Sequence, residues 1–352
     1  MISIVSKIRK LSPFVFQKTK IGIDLGTSMT RIAIDNKGIV LREPTFVGQN
    51  TKTGQYIFYG TDAKDIYGKA PGYIKVIKPI EHSIISDFDA TVYLMEQFLK
   101  KAVYPYYQGT FIKRGLVGYT VVPTSSTEVE QKALQEAFIK AGFQTVYLIE
   151  KPIVEAYGAG HNIFTNKPVF VIDLGAGIVE AAIITMGGIV SSKVLRTGGD
   201  HMDRLIYNYL HLKYGLIIGE QTSEHLKVKL FNLSDQKGVL AVRGKSLENG
   251  LPKSVRVTSR DVQEALAVAM NQIVDSVKEL IETVPPEVID GLIRSGVVLT
   301  GEFARIPGID RYISNDIKIP TTIASNPEDA TIHGLQKLMK EEERLNRVVF
   351  AG

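Results

Sequence analysis

One short pattern occurs twice in this chain, and the duplication constrains the fold more than any other feature. Ile21 to Ile34 reads IGIDLGTSMTRIAI: apolar residues ending on Asp24, then Leu25-Gly26-Thr27-Ser28, then a second run from Arg31 to Ile34. Such spacing predicts strand, tight turn, strand. Val169 to Val190 reads VFVIDLGAGIVEAAIITMGGIV, in which Asp173-Leu174-Gly175-Ala176-Gly177 aligns with Asp24-Leu25-Gly26-Thr27-Ser28, and Glu180 with Arg31. In each copy a carboxylate ends the first strand beside a small, donor-rich turn. That arrangement suits a metal-bound phosphate: N–H groups and hydroxyls take the phosphate oxygens, and Asp24 holds the water shell of the cation. A single glycine turn is common in hairpins. Two of them imply two similar domains facing one ligand. A third glycine-bearing turn, Val298 to Gly301, follows another apolar strand.

Composition leaves room for such an architecture. At 352 residues, 44% hydrophobic and 22% charged, the chain has an ordinary globular balance and can bury the cores of two domains. It has no cysteine, so disulfides and thiolate metal sites are excluded. A net charge of +5 from 42 basic and 37 acidic residues is too diffuse to argue for nucleic acid. No apolar run reaches transmembrane length.

Along the chain, Ile4, Val5, Ile8 and Leu11 share one helical face, and Lys7, Arg9 and Lys10 lie on the other. A short basic amphipathic helix fits an anionic membrane surface; a helix docked on the protein itself, or a disordered tail, is the other reading. Gly38 to Tyr73 reads as a small inserted subdomain, followed by a helix from about Ala90 to Ala102. The aromatic and basic stretch Val103 to Gly115, with Tyr106 and Tyr107, suits either a membrane interface or packing at a domain edge. Thr127 and Glu130 form a capping box before a helix that Gly142 ends. Glu224 and Lys227 share a helix face, where a solvated ion pair is the plain reading. Gly238, Gly244, Lys245 and Ser246 approximate a P-loop, but with five intervening residues instead of four and strand-like Val239, Leu240 and Val242 between them, so that reading is rejected. Thr258 to Val284 predicts a long amphipathic helix stopped by Pro285-Pro286.

The paired hairpins and the third turn resemble the actin, Hsp70 and sugar-kinase superfamily. Further stretches narrow the resemblance to the MreB-type bacterial actins: Ile85-Ser86-Asp87-Phe88, Gly198 to Asp203, Ile218 to Lys227, and Val242 to Pro252. The match runs from Ile21 to about Leu338. It implies an α/β actin-like fold of four subdomains, with a mixed sheet in each of two domains and a nucleotide cleft between them. The expected division is a basic segment 1–16, a first domain 17–165 with an insert near 38–73 and completed by 326–348, and a second domain 166–325 with an insert near 206–256. The resemblance further implies ATP and Mg as cofactors and self-assembly into filaments. It also implies a cytoplasmic location on the inner face of the cell membrane, and a role in cell shape beside cell-wall synthesis or shape proteins.

Carried over residue by residue, the resemblance gives Asp24 and Asp173 to the metal, with Thr27, Ser28, Met29, Gly175, Ala176 and Gly177 at the phosphates. Gly199 and Asp200 approach the sugar or phosphates, Glu224 and Lys227 flank the nucleoside, and Gly301, Glu302, Phe303 and Ala304 lie opposite. Three departures stand out. Lys151 precedes Pro152 where the family has a glutamate that orients the attacking water. Ile178 stands where a threonine is usual. Glu302 and Phe303 replace a glycine-rich turn and are expected to crowd the base. An ammonium has donors and no acceptor, so Lys151 cannot take a proton from water. The expectation is a binding scaffold kept and a hydrolytic part damaged, or else a scaffold that binds no nucleotide. A sugar kinase would need a catalytic aspartate, and an Hsp70-type ATPase a peptide-binding domain, which the chain to Gly352 leaves no room for.

Overall fold

The computed structural model describes residues 18–106 and 115–350. The expected membrane residues Ile4, Val5, Lys7, Ile8, Arg9, Lys10, Leu11 and Tyr107 lie outside the described residues.

Both expected hairpins form. Thr19–Leu25 pairs antiparallel with Met29–Ile34, which sets Asp24 opposite Arg31. Val169–Leu174 pairs antiparallel with Val179–Thr185, which sets Asp173 opposite Glu180. The sheets then grow in the same way. A third strand adds antiparallel to each hairpin, Gly38–Pro44 in one and Gly188–Leu195 in the other. On the far side, Leu116–Val122 and Thr145–Glu150 extend the first sheet in parallel. Val297–Thr300 and Thr321–Ile323 do the same for the second. Val349–Phe350 adds a short edge strand to the first sheet. Val169–Leu174 is buried throughout, as an unbroken apolar run requires when both faces of a sheet are covered.

Two small three-stranded sheets flank these. One joins Val47–Asn50, Tyr56–Tyr59 and Ile74–Ile77; the other joins Leu216–Ile217, Val239–Ser246 and Pro252–Thr258. The near-P-loop spacing therefore lies in a strand, with Gly244 paired to Lys253.

The helices Lys151–Gly158 and Ala330–Lys340 lie between the two large sheets. Ile153, Val154, Ile332 and Leu335 share a core with Val117 from the first sheet and Val171 and Val298 from the second. The two helices cross with their backbones almost touching. A Cβ built on Gly158 would stand 1.8 Å from the Ala330 carbonyl oxygen, and one on Gly334 2.0 Å from that of Val154. Outer cores cover the far faces of the sheets, around Phe98 and Phe138 on one side and Leu266 and Ile273 on the other. The Thr127–Glu130 capping box is present, and a second one, Thr258 with Asp261, starts the helix Ser259–Glu282. Tyr106 ends a short 3-10 turn and is 51% exposed, with Lys37 Nζ 5.9 Å from its ring centroid. No helix among the described residues is long and apolar enough to cross a membrane.

Candidate functional site

Because the sheets repeat, their hairpin turns meet at one place. The Gly26 N–H donates to the Met29 carbonyl at 3.1 Å, and the Gly175 N–H to the Ile178 carbonyl, also at 3.1 Å. Each turn is tight enough that a Cβ on Gly26 or Gly175 would fall 2.7 or 2.9 Å from that same carbonyl oxygen. The N–H groups of Thr27, Ser28, Ala176 and Gly177 donate to no protein acceptor among the described residues. The turns also touch one another: a Cβ on Gly177 would stand 2.3 Å from Thr27 Oγ1, and that hydroxyl accepts the Ser83 N–H at 3.0 Å. Unused N–H groups on two facing turns form a concave donor surface of the kind that takes an anion.

Behind this surface lies a cavity of about 290 Å³. Asp24, Thr27, Ser28, Met29, Lys151, Asp173, Gly175, Ala176, Gly177, Gly199, Asp200, Glu224, Lys227, Gly301, Glu302 and Phe303 all line it. Ala304 is buried and does not line it, and neither does Ile178, only 2% exposed beneath the second turn. The Ile178 side chain, the second departure in the expected hydrolytic part, thus lies beneath the turn and not in the cavity lining. Phe303 lines the cavity while mostly buried: it is 8% exposed and stacks on Phe231 with centroids 6.0 Å apart. Gly301 turns at φ 82°, where a Cβ would strike Asp173 Oδ1 and the Leu174 carbonyl, both at 2.4 Å. Only glycine fits that close approach.

The charged side chains of the cleft are largely paired within the protein. Lys151 opens its helix directly after the strand that ends at Glu150, and its Nζ lies 2.5 Å from Asp173 Oδ2 and 3.5 Å from Glu155 Oε1. Burial alone would lower the Lys151 pKa, but the carboxylates of Asp173, Glu155 and Asp24 outweigh it and hold the ammonium well above its ordinary value. Burial pushes Glu155 and Asp24 upward. Asp24 is approached by Arg31 Nη1 at 3.4 Å, and Arg31 Nε reaches Asp329 at 2.9 Å. Lys78 pairs with Asp200 at 3.1 Å. Glu224 and Lys227 do not pair with each other. Glu224 meets Lys64 at 3.1 Å, whereas Lys227 meets Asp203 and the Gly199 carbonyl, each at 2.8 Å. Burial raises Asp203 to about 6. Arg31, Glu155 and Asp203 are cleft residues that the sequence reading did not single out. Their signals were present: Arg31 faces Asp24 across the hairpin, Glu155 is four residues after Lys151 on one helix, and Asp203 is three after Asp200.

Two sheets of one topology, with glycine turns converging on a cleft between them, define an actin-like fold. The family model described as MreB/Mbl protein matches residues 18–347. The chain belongs to the MreB/Mbl family. It is 36% identical over 327 residues to the cell shape-determining protein Mbl of Bacillus subtilis (strain 168), covering 92% of this chain and 97% of that one. Among solved structures, MreB 5 of Spiroplasma citri bound to AMPPNP matches with a TM-score of 0.87 at 29% identity, over 94% of this chain and 98% of that chain. The MamK double helical filament, at 18% identity and a TM-score of 0.76 over 92% of this chain and 99% of that one, shares the fold.

Proposed function

We propose that this chain is a nucleotide-binding actin-like protein that forms filaments on an anionic membrane surface, acts in cell-shape determination, and hydrolyses ATP slowly or not at all. The observation that carries the reading is the pair of facing turns with unused N–H groups on one cavity. Support comes from a relative named for cell shape and another bound to AMPPNP. The proposed domains are 17–165 with 326–348, and 166–325, with the nucleotide held between them. Filaments follow from one head-to-tail contact repeated without closure, and the MamK filament shares this fold. Lys7, Arg9 and Lys10 supply the membrane charge.

Slow hydrolysis rests on Lys151. Attack on a terminal phosphate needs a water held in line and relieved of its proton. Lys151 lines the cavity where Glu150 does not, and it donates where an acceptor is needed. Losing such a group slows the chemistry by about 10²–10⁴-fold. Pelleting and electron microscopy with AMPPNP or ADP, beside a phosphate-release assay, test the whole reading. Filaments with release near background are expected; monomers in every salt and nucleotide condition, or brisk release, count against it.

A second reading is a scaffold that needs no nucleotide. It is favoured by the cleft's internal charge pairing, in which Lys78, Arg31, Lys151 and Lys227 each already meet a carboxylate. Calorimetry separates the two, since the scaffold would give no heat with ADP or AMPPNP.

A further inference from the structure

We infer that the Lys151 ammonium is a resident cation at the carboxylate end of the cleft, so that a nucleotide binds there with little dependence on a divalent ion. The inference rests on the nucleotide reading above and concerns how the phosphates are neutralised.

Asp173, the aspartate of the second hairpin, is already taken by a cation and does not fit the water shell of a magnesium ion, which leaves Asp24 as the one hairpin carboxylate with an oxygen neither partnered nor sealed off among the described residues. Asp173 Oδ2 is held by Lys151 Nζ at 2.5 Å, and Asp24 Oδ2 has Arg31 Nη1 at 3.4 Å. The other oxygen of Asp173 is buried without a partner, and it faces the backbone of Gly301 so closely that a Cβ there would lie 2.4 Å away. Of the two Asp173 oxygens, one is taken by the ammonium and the other is buried against the Gly301 turn. Magnesium requires oxygen ligands in near-ideal octahedral geometry and retains several waters. An incoming ion would meet the Lys151 ammonium, whose side chain is only 14% exposed and locked between Asp173 and Glu155.

Lys151 is also placed to do the ion's electrostatic work. It lines the same cavity as the two turns. An ammonium is a compact charge with three donors. Asp173 takes one of them and Glu155 lies 3.5 Å away, which leaves a donor for a phosphate oxygen. The same charge thus answers the buried aspartate and the phosphates.

The test is calorimetric titration of AMPPNP and ADP into the full chain, with magnesium and with EDTA, for the wild type, Lys151→Met and Lys151→Arg. The wild-type Kd should change by less than about threefold between the two buffers. Lys151→Met should bind roughly thirtyfold more weakly in EDTA, the scale of removing one partner of a buried charge pair, and recover with magnesium. Lys151→Arg should resemble the wild type. Wild-type binding in magnesium alone overturns the inference with no variant needed, as does a Lys151→Met protein that matches the wild type in both buffers. Absence of wild-type binding in both buffers overturns the nucleotide reading itself, and this inference with it.

Discussion

Glu180 makes a sharp test of how the cleft floor is held. It is fully buried. One carboxylate oxygen accepts the N–H and the hydroxyl of Thr124, both at 2.7 Å, and so ties the second hairpin to the loop after Leu116–Val122. Its other oxygen has no partner among the described residues. Burial raises the carboxyl from 4.5 to about 7; the Thr124 hydrogen bonds and Lys151 oppose the shift, and Asp173 adds to it. Between those two values the folded protein holds a proton that the unfolded chain has released. The stabilisation is complete below the unfolded value and is lost as pH rises through the folded one. Each pH unit is worth about 1.4 kcal/mol, so the full window amounts to about 3 kcal/mol. Glu180→Gln keeps the shape of the protonated acid and removes the titration. Urea unfolding at about pH 5 and about pH 7.5 should show the wild type losing about 2.4 kcal/mol relative to the variant, since the two pH values span most but not all of the window. Parallel pH profiles for the two proteins would refute the reasoning.

Gly334→Ala, where the two central helices cross, should lower stability by about 1–3 kcal/mol or more with an unchanged denaturant slope, since its Cβ would meet a backbone carbonyl that cannot rotate away. Lys151→Glu should raise phosphate release by about 10²-fold over the wild type, and only with magnesium supplied. Adding Ile178→Thr should change that rate little, because Ile178 does not line the cavity; phosphate-release assays on the single and double variants check both. Deleting residues 1–16 should reduce flotation with anionic vesicles, and added salt should do the same to the intact chain, given about 1 kcal/mol for each of Lys7, Arg9 and Lys10.

The hairpins were legible in the sequence because period-two apolar runs broken by Asp-Leu-Gly need no tertiary information, and their repetition implied the shared topology of the sheets. Caps such as Thr127 with Glu130 were legible for the same local reason. What was hidden depended on distant partners. The crossing of Gly158 over Ala330 joins residues far apart in the chain. Glu224 and Lys227 satisfy the spacing for an ion pair, yet each finds a stronger tertiary partner, in Lys64 and Asp203. The stacking of Phe303 on Phe231, which sets how that ring meets the cavity, joins residues that no local pattern connects. Lys151 was read as a donor where an acceptor is usual; its grip on Asp173 could be seen only once the two sheets were brought together.

The most direct test of the two-turn cleft is the affinity of AMPPNP for the wild type, Gly26→Ala and Gly175→Ala, measured by calorimetry. Each substitution places a Cβ within 2.7 or 2.9 Å of its own turn's carbonyl and so distorts one donor surface while leaving the other intact. The expected result is saturable one-to-one binding by the wild type and a loss of about tenfold or more in each variant, that is, about 1.4 kcal/mol or more. No heat from the wild type, or variants that bind as tightly as it does, would contradict a nucleotide held between the two turns.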